Sequence, residues 1–367
     1  MNSDRKTAII FGVSIVIAVA VISSTLSLLD QNTEGIQSSE TKKIGIDKSQ
    51  FKKAPGLEGI AGYINTTPEE LKEKIKGKVV LYDIWTYSCI NCVRTLPFIT
   101  AWDEKYSDQG LLIIGIHSPE FEFEKDINNV KMAVTKHGIK YPVVLDNDKE
   151  TWDVFENRYW PRKYIADHEG YIRYDHIGEG AYDETEKIIQ KLLKERAESV
   201  GMDVKVKEEL VQISEFEHSW LRTPELYFGY EFASGRNQLG NSEGFMPNQD
   251  VTYSVPESLY QHYFYLDGTW TNLKGSMKLV SDSGRIVLPY SGKEVNIVTA
   301  GEADLQILLD RNAIGPEYAG DAVGTNGRVH THHSDLYNIV KTDESEQHTL
   351  EILVKNPGFE IFTFTFG

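Results

Sequence analysis

Val79-Val80-Leu81-Tyr82-Asp83-Ile84-Trp85-Thr86-Tyr87-Ser88-Cys89-Ile90-Asn91-Cys92 is an apolar run that reads as a buried strand and ends on two cysteines three positions apart. These are the only two cysteines among 367 residues. Where a strand gives way to a helix, such a pair can close a short disulfide or open to a dithiol. With the helix starting at Cys89, its sulfur lies among the unpaired N–H groups of the first turn, where the helix dipole favours a thiolate. Cys92 falls one turn inward, placed to attack a mixed disulfide at Cys89 and release the product. A structural disulfide over so small a loop would restrict the unfolded chain little. A zinc site would need two further ligands, and there is no second C-x-x-C to supply them. A C-x-x-C beside a strand–helix pattern points instead to redox exchange. No metal or organic cofactor is required, since the Cys89–Cys92 pair is itself the redox group.

The neighbours extend this reading. Asp83 interrupts an otherwise apolar strand, and a carboxylate there is costly unless it has a partner or a role. Buried beneath Cys92 it could accept and return a proton during exchange; at an irregular strand end it would simply face water. Pro97 falls inside the helix that begins at Cys89, where it removes a backbone hydrogen bond. Trp160-Pro161 precedes the short strand Lys163-Tyr164-Ile165-Ala166.

With these residues in order, the stretch from about Gly56 to about Ser199 resembles a thioredoxin-fold domain. The match rests on D-x-W-x-x-x-C-x-x-C at Asp83, Trp85, Cys89 and Cys92, on Pro97, and on an X-Pro bond that the family holds in cis, here at Pro161. A longer signature comprises W-T-Y-S-C-I-N-C from Trp85, H-S-P-E-F from His117, D-N-D from Asp146, N-R-Y-W-P from Asn157 and G-E-G from Gly178. It resembles the extracytoplasmic thioredoxin-like part of DipZ-type proteins, relatives of the TlpA/ResA disulfide reductases. The resemblance implies an α/β fold with a central mixed sheet flanked by helices, Cys89 as the attacking and Cys92 as the resolving thiol. It also implies Trp85 packed beside the pair, and a substrate strand held at Trp160 and cis-Pro161. DipZ proteins carry a CcdA-like transmembrane electron carrier before this part. The implied partners are therefore a separate CcdA/DsbD-like membrane electron donor and extracytoplasmic protein disulfides. In one respect the sequence departs: the ResA branch has a Glu three residues after its second active-site cysteine, where this chain has Thr95. The role of that carboxylate does not transfer.

Outward from this core, residues 1–6 are short and polar, and residues 7–29 carry no charge, enough for about one bilayer crossing. Arg5 and Lys6 precede the run and Asp30 and Glu34 follow it. The expected arrangement is an uncleaved signal anchor with a cytoplasmic N-terminus and an extracytoplasmic body. Residues 30–55 have the composition of a flexible tether. Residues 56–200 then form the thioredoxin-like domain: a helix capped at Thr66 or Thr67, the Val79 strand, the Cys89 helix to about Tyr106, a strand Gly110–Ile116, a helix Glu122–His137, a strand Tyr141–Leu145, a helix Glu150–Tyr159, a hairpin Lys163–Ile177 and a helix Tyr182–Glu198. Glu122 and Glu124 could approach the active site, as a loop after the second strand allows, but a solvated helix start is the plainer reading.

Residues 201–222 read as a charged linker, and residues 223–367 as a β-sandwich of evenly spaced short strands. This half resembles the DipZ-type C-terminal extension, which in turn resembles carbohydrate-binding-module jelly rolls. A glycan is thus a possible ligand, with Tyr263, Trp270 and Tyr290 as ring candidates. Because it contains no cysteine, this half is expected to stand apart from the exchange chemistry. His330, His332 and His333 with Asp335 invite a metal reading, but surface histidines are the plainer account. The formal charge of −17 argues against nucleic acid as a partner. The principal reading is a membrane-anchored thiol–disulfide oxidoreductase. Two alternatives stand beside it. One is a thiol peroxidase, from Thr86 three residues before Cys89 but with Tyr82 where that motif wants Pro. The other is a surface glycan-binding protein with a secondary redox role.

Overall fold

The computed structural model describes residues 47–202, 205–218, 222–233 and 235–367. The expected membrane anchor lies outside them; among the described residues no helix is long and apolar enough to cross a membrane. The body, Phe51–Gly367, is one compact unit built on two sheets.

The first sheet is mixed, in the order β1 (Gly62–Ile64), β4 (Val143–Leu145), β3 (Leu111–His117), β2 (Val79–Trp85), β5 (Arg162–Ala166), β6 (Ile172–Ile177). Strands β2, β3 and β4 run parallel, and β1, β5 and β6 pair antiparallel at the flanks. All seven residues of β2 are buried, as a central strand covered on both faces requires. Helices α1 (Pro68–Lys74), α2 (Ile90–Tyr106), α3 (Ile127–Lys136), α4 (Glu150–Val154) and α5 (Tyr182–Ser199) complete this layer. One core, with Leu81, Trp102, Tyr106, Ile113 and Leu193, fills one face of the sheet; a second, with Tyr82, Ile84, Ile114, Trp152 and Phe155, fills the other. The hydroxyl of Thr67 accepts the Glu70 N–H at 3.2 Å and starts α1.

Two helices are shorter than their patterns suggest. The expected helix Glu122–His137 splits into a 3₁₀ turn, Glu122–Lys125, and α3. The break is at Asp126, which is extended and whose side chain caps α3 by accepting the Asn128 N–H at 2.8 Å. The expected helix to Tyr159 stops at Val154, because Glu156 adopts a positive φ of 52°.

Residues 205–218 do not behave as a free linker. Val206 is buried against the first core. The Glu186 carboxylate accepts the Val211 N–H at 2.9 Å, and Gln190 donates to the Glu208 carbonyl at 3.1 Å.

Beyond it, hydrogen bonding joins ten strands into one antiparallel sheet wrapped on a single core that includes Tyr253, Trp270, Ile297 and Phe364. They are β7 (Leu226–Tyr227), β8 (Asp250–Tyr253), β9 (Tyr265–Asn272), β10 (Met277–Leu279), β11 (Gly284–Ala300), β12 (Ala303–Leu309), β13 (Asn312–Ala313), β14 (Arg328–Thr331), β15 (Asp335–Val354) and β16 (Glu360–Phe366). Arg285–Leu288 and Glu294–Val298 both belong to the long strand β11, where evenly spaced short strands were expected. That strand pairs with β9 near its start, with β16 near its end and with β15 along most of its length, through bulges at Gly292/Glu294 and Val295/Asn296.

The two sheets meet through Phe121, Tyr227, Val298 and Phe362, with Phe121 and Phe362 ring centroids 5.0 Å apart. Arg94 pairs with Glu294 at 2.7 Å and Lys136 with Asp335 at 2.6 Å across the same seam. Of these contacts, the Arg94–Glu294 pair ties the β-domain to the helix that carries the cysteines.

Candidate active site

Strand β2 delivers its chain to the edge of the sheet, and the loop Thr86–Ser88 turns it into α2. Cys89 is the N-cap residue of that helix, and its sulfur accepts the Cys92 N–H at 3.2 Å. Cys89 is partly exposed and Cys92 buried. Burial pushes the Cys89 thiol above its ordinary range; hydrogen bonds from Cys92 oppose this, while Glu225 and Glu120 reinforce it. Burial thus works against the thiolate that the helix N-terminus favours. Cys92 is pushed well up by burial, and by its hydrogen bond and Coulombic contact with Cys89.

Asp83 is fully buried, one of its carboxylate oxygens has no hydrogen-bond partner, and burial raises it to about 6, against the pull of Lys163. The alternative of a solvated strand end is excluded. Lys163 is opposite Asp83 in the β2–β5 register, is itself fully buried, and is lowered to about 8 by burial. Its ammonium donates to the Gly178 carbonyl at 3.0 Å. Asp83 and Lys163 both act electrostatically on Cys92. Lys163 went unnoticed as a site residue, although its place in a four-residue apolar strand carries the same signal as Asp83.

Trp85 is buried in the core that also contains Cys92, its ring edge-on to His117 at 5.4 Å. The room comes from Gly115, where a Cβ would lie 3.0 Å from the indole nitrogen. The Trp160–Pro161 bond is cis. Trp160 donates from its indole to the Ser118 carbonyl at 2.9 Å and packs against Trp152 with the rings tilted and their centroids 4.3 Å apart. Thr95 turns its hydroxyl to the Asn91 carbonyl at 2.9 Å and contacts the Tyr182 hydroxyl at 3.3 Å.

The reading of Glu124 as a solvated helix start is corrected. Glu122 is exposed, but Glu124 is fully buried. Its carboxylate accepts the Thr86 hydroxyl at 2.5 Å, the Ser88 hydroxyl at 2.6 Å, and the N–H groups of Glu120 at 2.6 Å and Phe121 at 2.9 Å. One side chain thus clamps the loop before Cys89 to the loop after β3.

A cavity of about 70 Å³ opens on Cys89, lined also by Ser88, Asn91, Glu120, Trp160 and, from the β-domain, Glu225, Tyr227, Thr363 and Thr365. A larger one of about 380 Å³ adjoins it, sharing Asn91 and Glu225. The expectation that residues 223–367 stand apart from the chemistry is therefore not met: the packing of Phe121 on Phe362 brings β7 and β16 to the cysteine. Trp270 and Tyr290 are fully buried core residues, so they offer no ring to a glycan. His330 pairs with Asp304 at 3.0 Å, and Asp335 is engaged by Lys136. Among the described residues no group of three or more metal-binding side chains comes together.

Comparison with known proteins agrees with this division. A family described as Redoxin matches residues 54–193, and one described as a thioredoxin-like C-terminal domain matches residues 223–367. Protein DipZ of Mycobacterium tuberculosis (strain CDC 1551 / Oshkosh) is 34% identical over 318 residues, 86% of this chain and 43% of that protein. The chain thus spans less than half the length of that relative. Thiol-disulfide oxidoreductase YkuV of Bacillus subtilis (strain 168) is 31% identical over 142 residues, 38% of this chain and 94% of that protein. A solution structure of a thioredoxin-like protein in the oxidized form is 30% identical, with a TM-score of 0.36 over 40% of this chain and 97% of that one.

Proposed function

Because the chain belongs to the thioredoxin-like thiol–disulfide oxidoreductases, we propose that it is a membrane-anchored, extracytoplasmic reductase of protein disulfides working through the Cys89–Cys92 dithiol. The observation that carries this reading is the placement of the two sulfurs: one at a helix N-cap on a cavity, the other buried one turn inward over an acid held near neutral pH.

In the forward reaction Cys89 attacks the substrate disulfide and forms a mixed disulfide. Cys92 then attacks Cys89, its proton passing to Asp83, and the reduced substrate leaves. Lys163 tunes Asp83, and the Trp160–Pro161 backbone holds the substrate chain. A thiolate that its surroundings do not stabilise makes a reducing couple rather than an oxidising one. Electrons would come from a CcdA/DsbD-like membrane donor, with residues 7–29 keeping the two together. The β-domain, which we read as a jelly-roll-like sandwich, would choose among partners.

Cys92→Ser should accumulate mixed disulfides through Cys89, whereas Cys89→Ser should trap almost nothing; equal trapping by both would overturn the assigned roles. The midpoint potential is expected nearer the roughly −270 mV of thioredoxin than the roughly −120 mV of a dedicated disulfide donor. The peroxidase alternative loses support because the Thr86 hydroxyl is committed to Glu124.

A further inference from the structure

The cavity over Cys89 holds more acid than a dithiol exchange at Cys92 needs. The Tyr227 hydroxyl lies 2.9 Å from Oε1 of Glu120 and 3.1 Å from Oε2 of Glu225. A phenol has a single hydrogen to donate. Both contacts are hydrogen bonds only when one of the two carboxyl groups carries a proton and donates it to the phenol oxygen. The three groups together therefore hold the phenol's own hydrogen, one carboxyl proton and one carboxylate. Glu120 is partly buried, and Glu225 is exposed at the rim. Glu120 faces Glu124 and Lys149 besides its two partners, and Glu225 faces Arg222 and Arg236. These groups line the same cavity of about 70 Å³ as Cys89.

We propose that Glu120, Tyr227 and Glu225 form a second proton relay, serving Cys89 as Asp83 serves Cys92, so that the C-terminal β-domain completes the reacting site. The proposal rests on the dithiol reading above. The free carboxylate takes the proton of Cys89; the resulting thiolate attacks R–S–S–R′, the S–S bond breaks, Cys89–S–S–R forms and R′S⁻ leaves. The relay then gives its proton to R′S⁻, which departs as R′SH. In the second step Cys92 passes its proton to Asp83 and attacks Cys89. The thiolate RS⁻ is released and takes that proton, so the dithiol supplies two electrons and two protons in all. Glu120 carries the proton, and Tyr227 positions it by bridging the two carboxyl groups.

The test uses the full chain, pre-reduced, in single-turnover reactions with two neutral disulfides. 2-Hydroxyethyl disulfide releases a thiolate that must be protonated; 2,2′-dithiodipyridine releases one that needs no proton. Glu120→Gln should slow the first by about 10²-fold, the usual scale of general acid–base assistance, and the second by no more than about 3-fold. Tyr227→Phe and Glu225→Gln should shift the ratio of the two rates in the same direction. Burial, Glu225 and Glu124 push Glu120 up to about 8. The wild-type ratio should therefore fall as pH passes about 8, and Glu120→Gln should abolish that break. If wild type reduces both disulfides but all three variants slow the two equally, or slow neither, the relay is wrong and the dithiol reading survives. If wild type reduces neither, or Cys89→Ser reduces both, the dithiol reading itself fails.

Discussion

At the scale of the residue, the site turns on carboxylates that the fold takes out of water for different ends. Asp83 could be picked out from sequence because an acid inside a seven-residue buried strand has no ordinary reason to be there. Glu124 could be raised as an acid near the site but not chosen, since an acid after a proline-containing loop looks more like a helix start; only tertiary folding reveals the Thr86 and Ser88 hydroxyls converging on it. Two predictions belong here. Asp83 lies at about 6, so resolution by Cys92 should slow as pH falls through 6 and Asp83 loses its capacity to accept a proton. In Asp83→Asn that break should vanish, with release from the mixed disulfide slower by about 10²-fold at pH 7, read by quenched-flow alkylation. Glu124→Ala leaves two hydroxyls and two backbone N–H groups without their acceptor. At about 1–3 kcal/mol for each buried group left unsatisfied, a loss of at least about 2 kcal/mol is expected in urea unfolding.

At the scale of the element, periodicity was a good guide wherever one face of an element is buried and a poor one elsewhere. Helices α2 and α5 were legible because their apolar residues follow a helix repeat, and the strand Val79–Trp85 because a continuous apolar run is what a strand covered on both faces carries. The middle of β15 was not, because Lys341 to Gln347 is polar and mostly exposed and offers no alternation to read. The segment after α5 was likewise read from its charges as a connector, although its backbone is tied down by Glu186 and Gln190. Glu186 also accepts the Tyr106 hydroxyl at 2.6 Å and the Lys105 ammonium at 2.9 Å. Desolvation pushes this carboxyl up, but the hydrogen bonds from Tyr106, Lys105 and the Val211 N–H prevail and hold it below 4.5. A depressed carboxyl stabilises the fold above its unfolded value, and that contribution is lost as pH falls through the folded one. Glu186→Gln should therefore cost stability at pH 7, by about 1–3 kcal/mol, and the difference from wild type should shrink below pH 4.5, as measured by chemical denaturation at a series of pH values.

At the scale of the whole molecule, the thioredoxin-like domain was legible from its motif order, and the attachment of the β-domain to it was not. Nothing in Phe121 or Phe362 alone distinguishes an interface ring from a core ring. Their packing against each other makes Phe51–Gly367 one unit, so calorimetry should record a single unfolding transition for it. Phe362→Ala, which opens a cavity costing about 3–5 kcal/mol, should separate that transition into two. The same packing has a consequence in the order of synthesis. Thr363 and Thr365, which close the cavity over Cys89, are translated some 270 residues after it. At about 5–20 residues per second, a nascent chain carries the cysteine pair without its cover for roughly 14–54 s. During that interval Cys89 meets whatever thiols and disulfides surround the emerging chain, without the walls of the finished cavity.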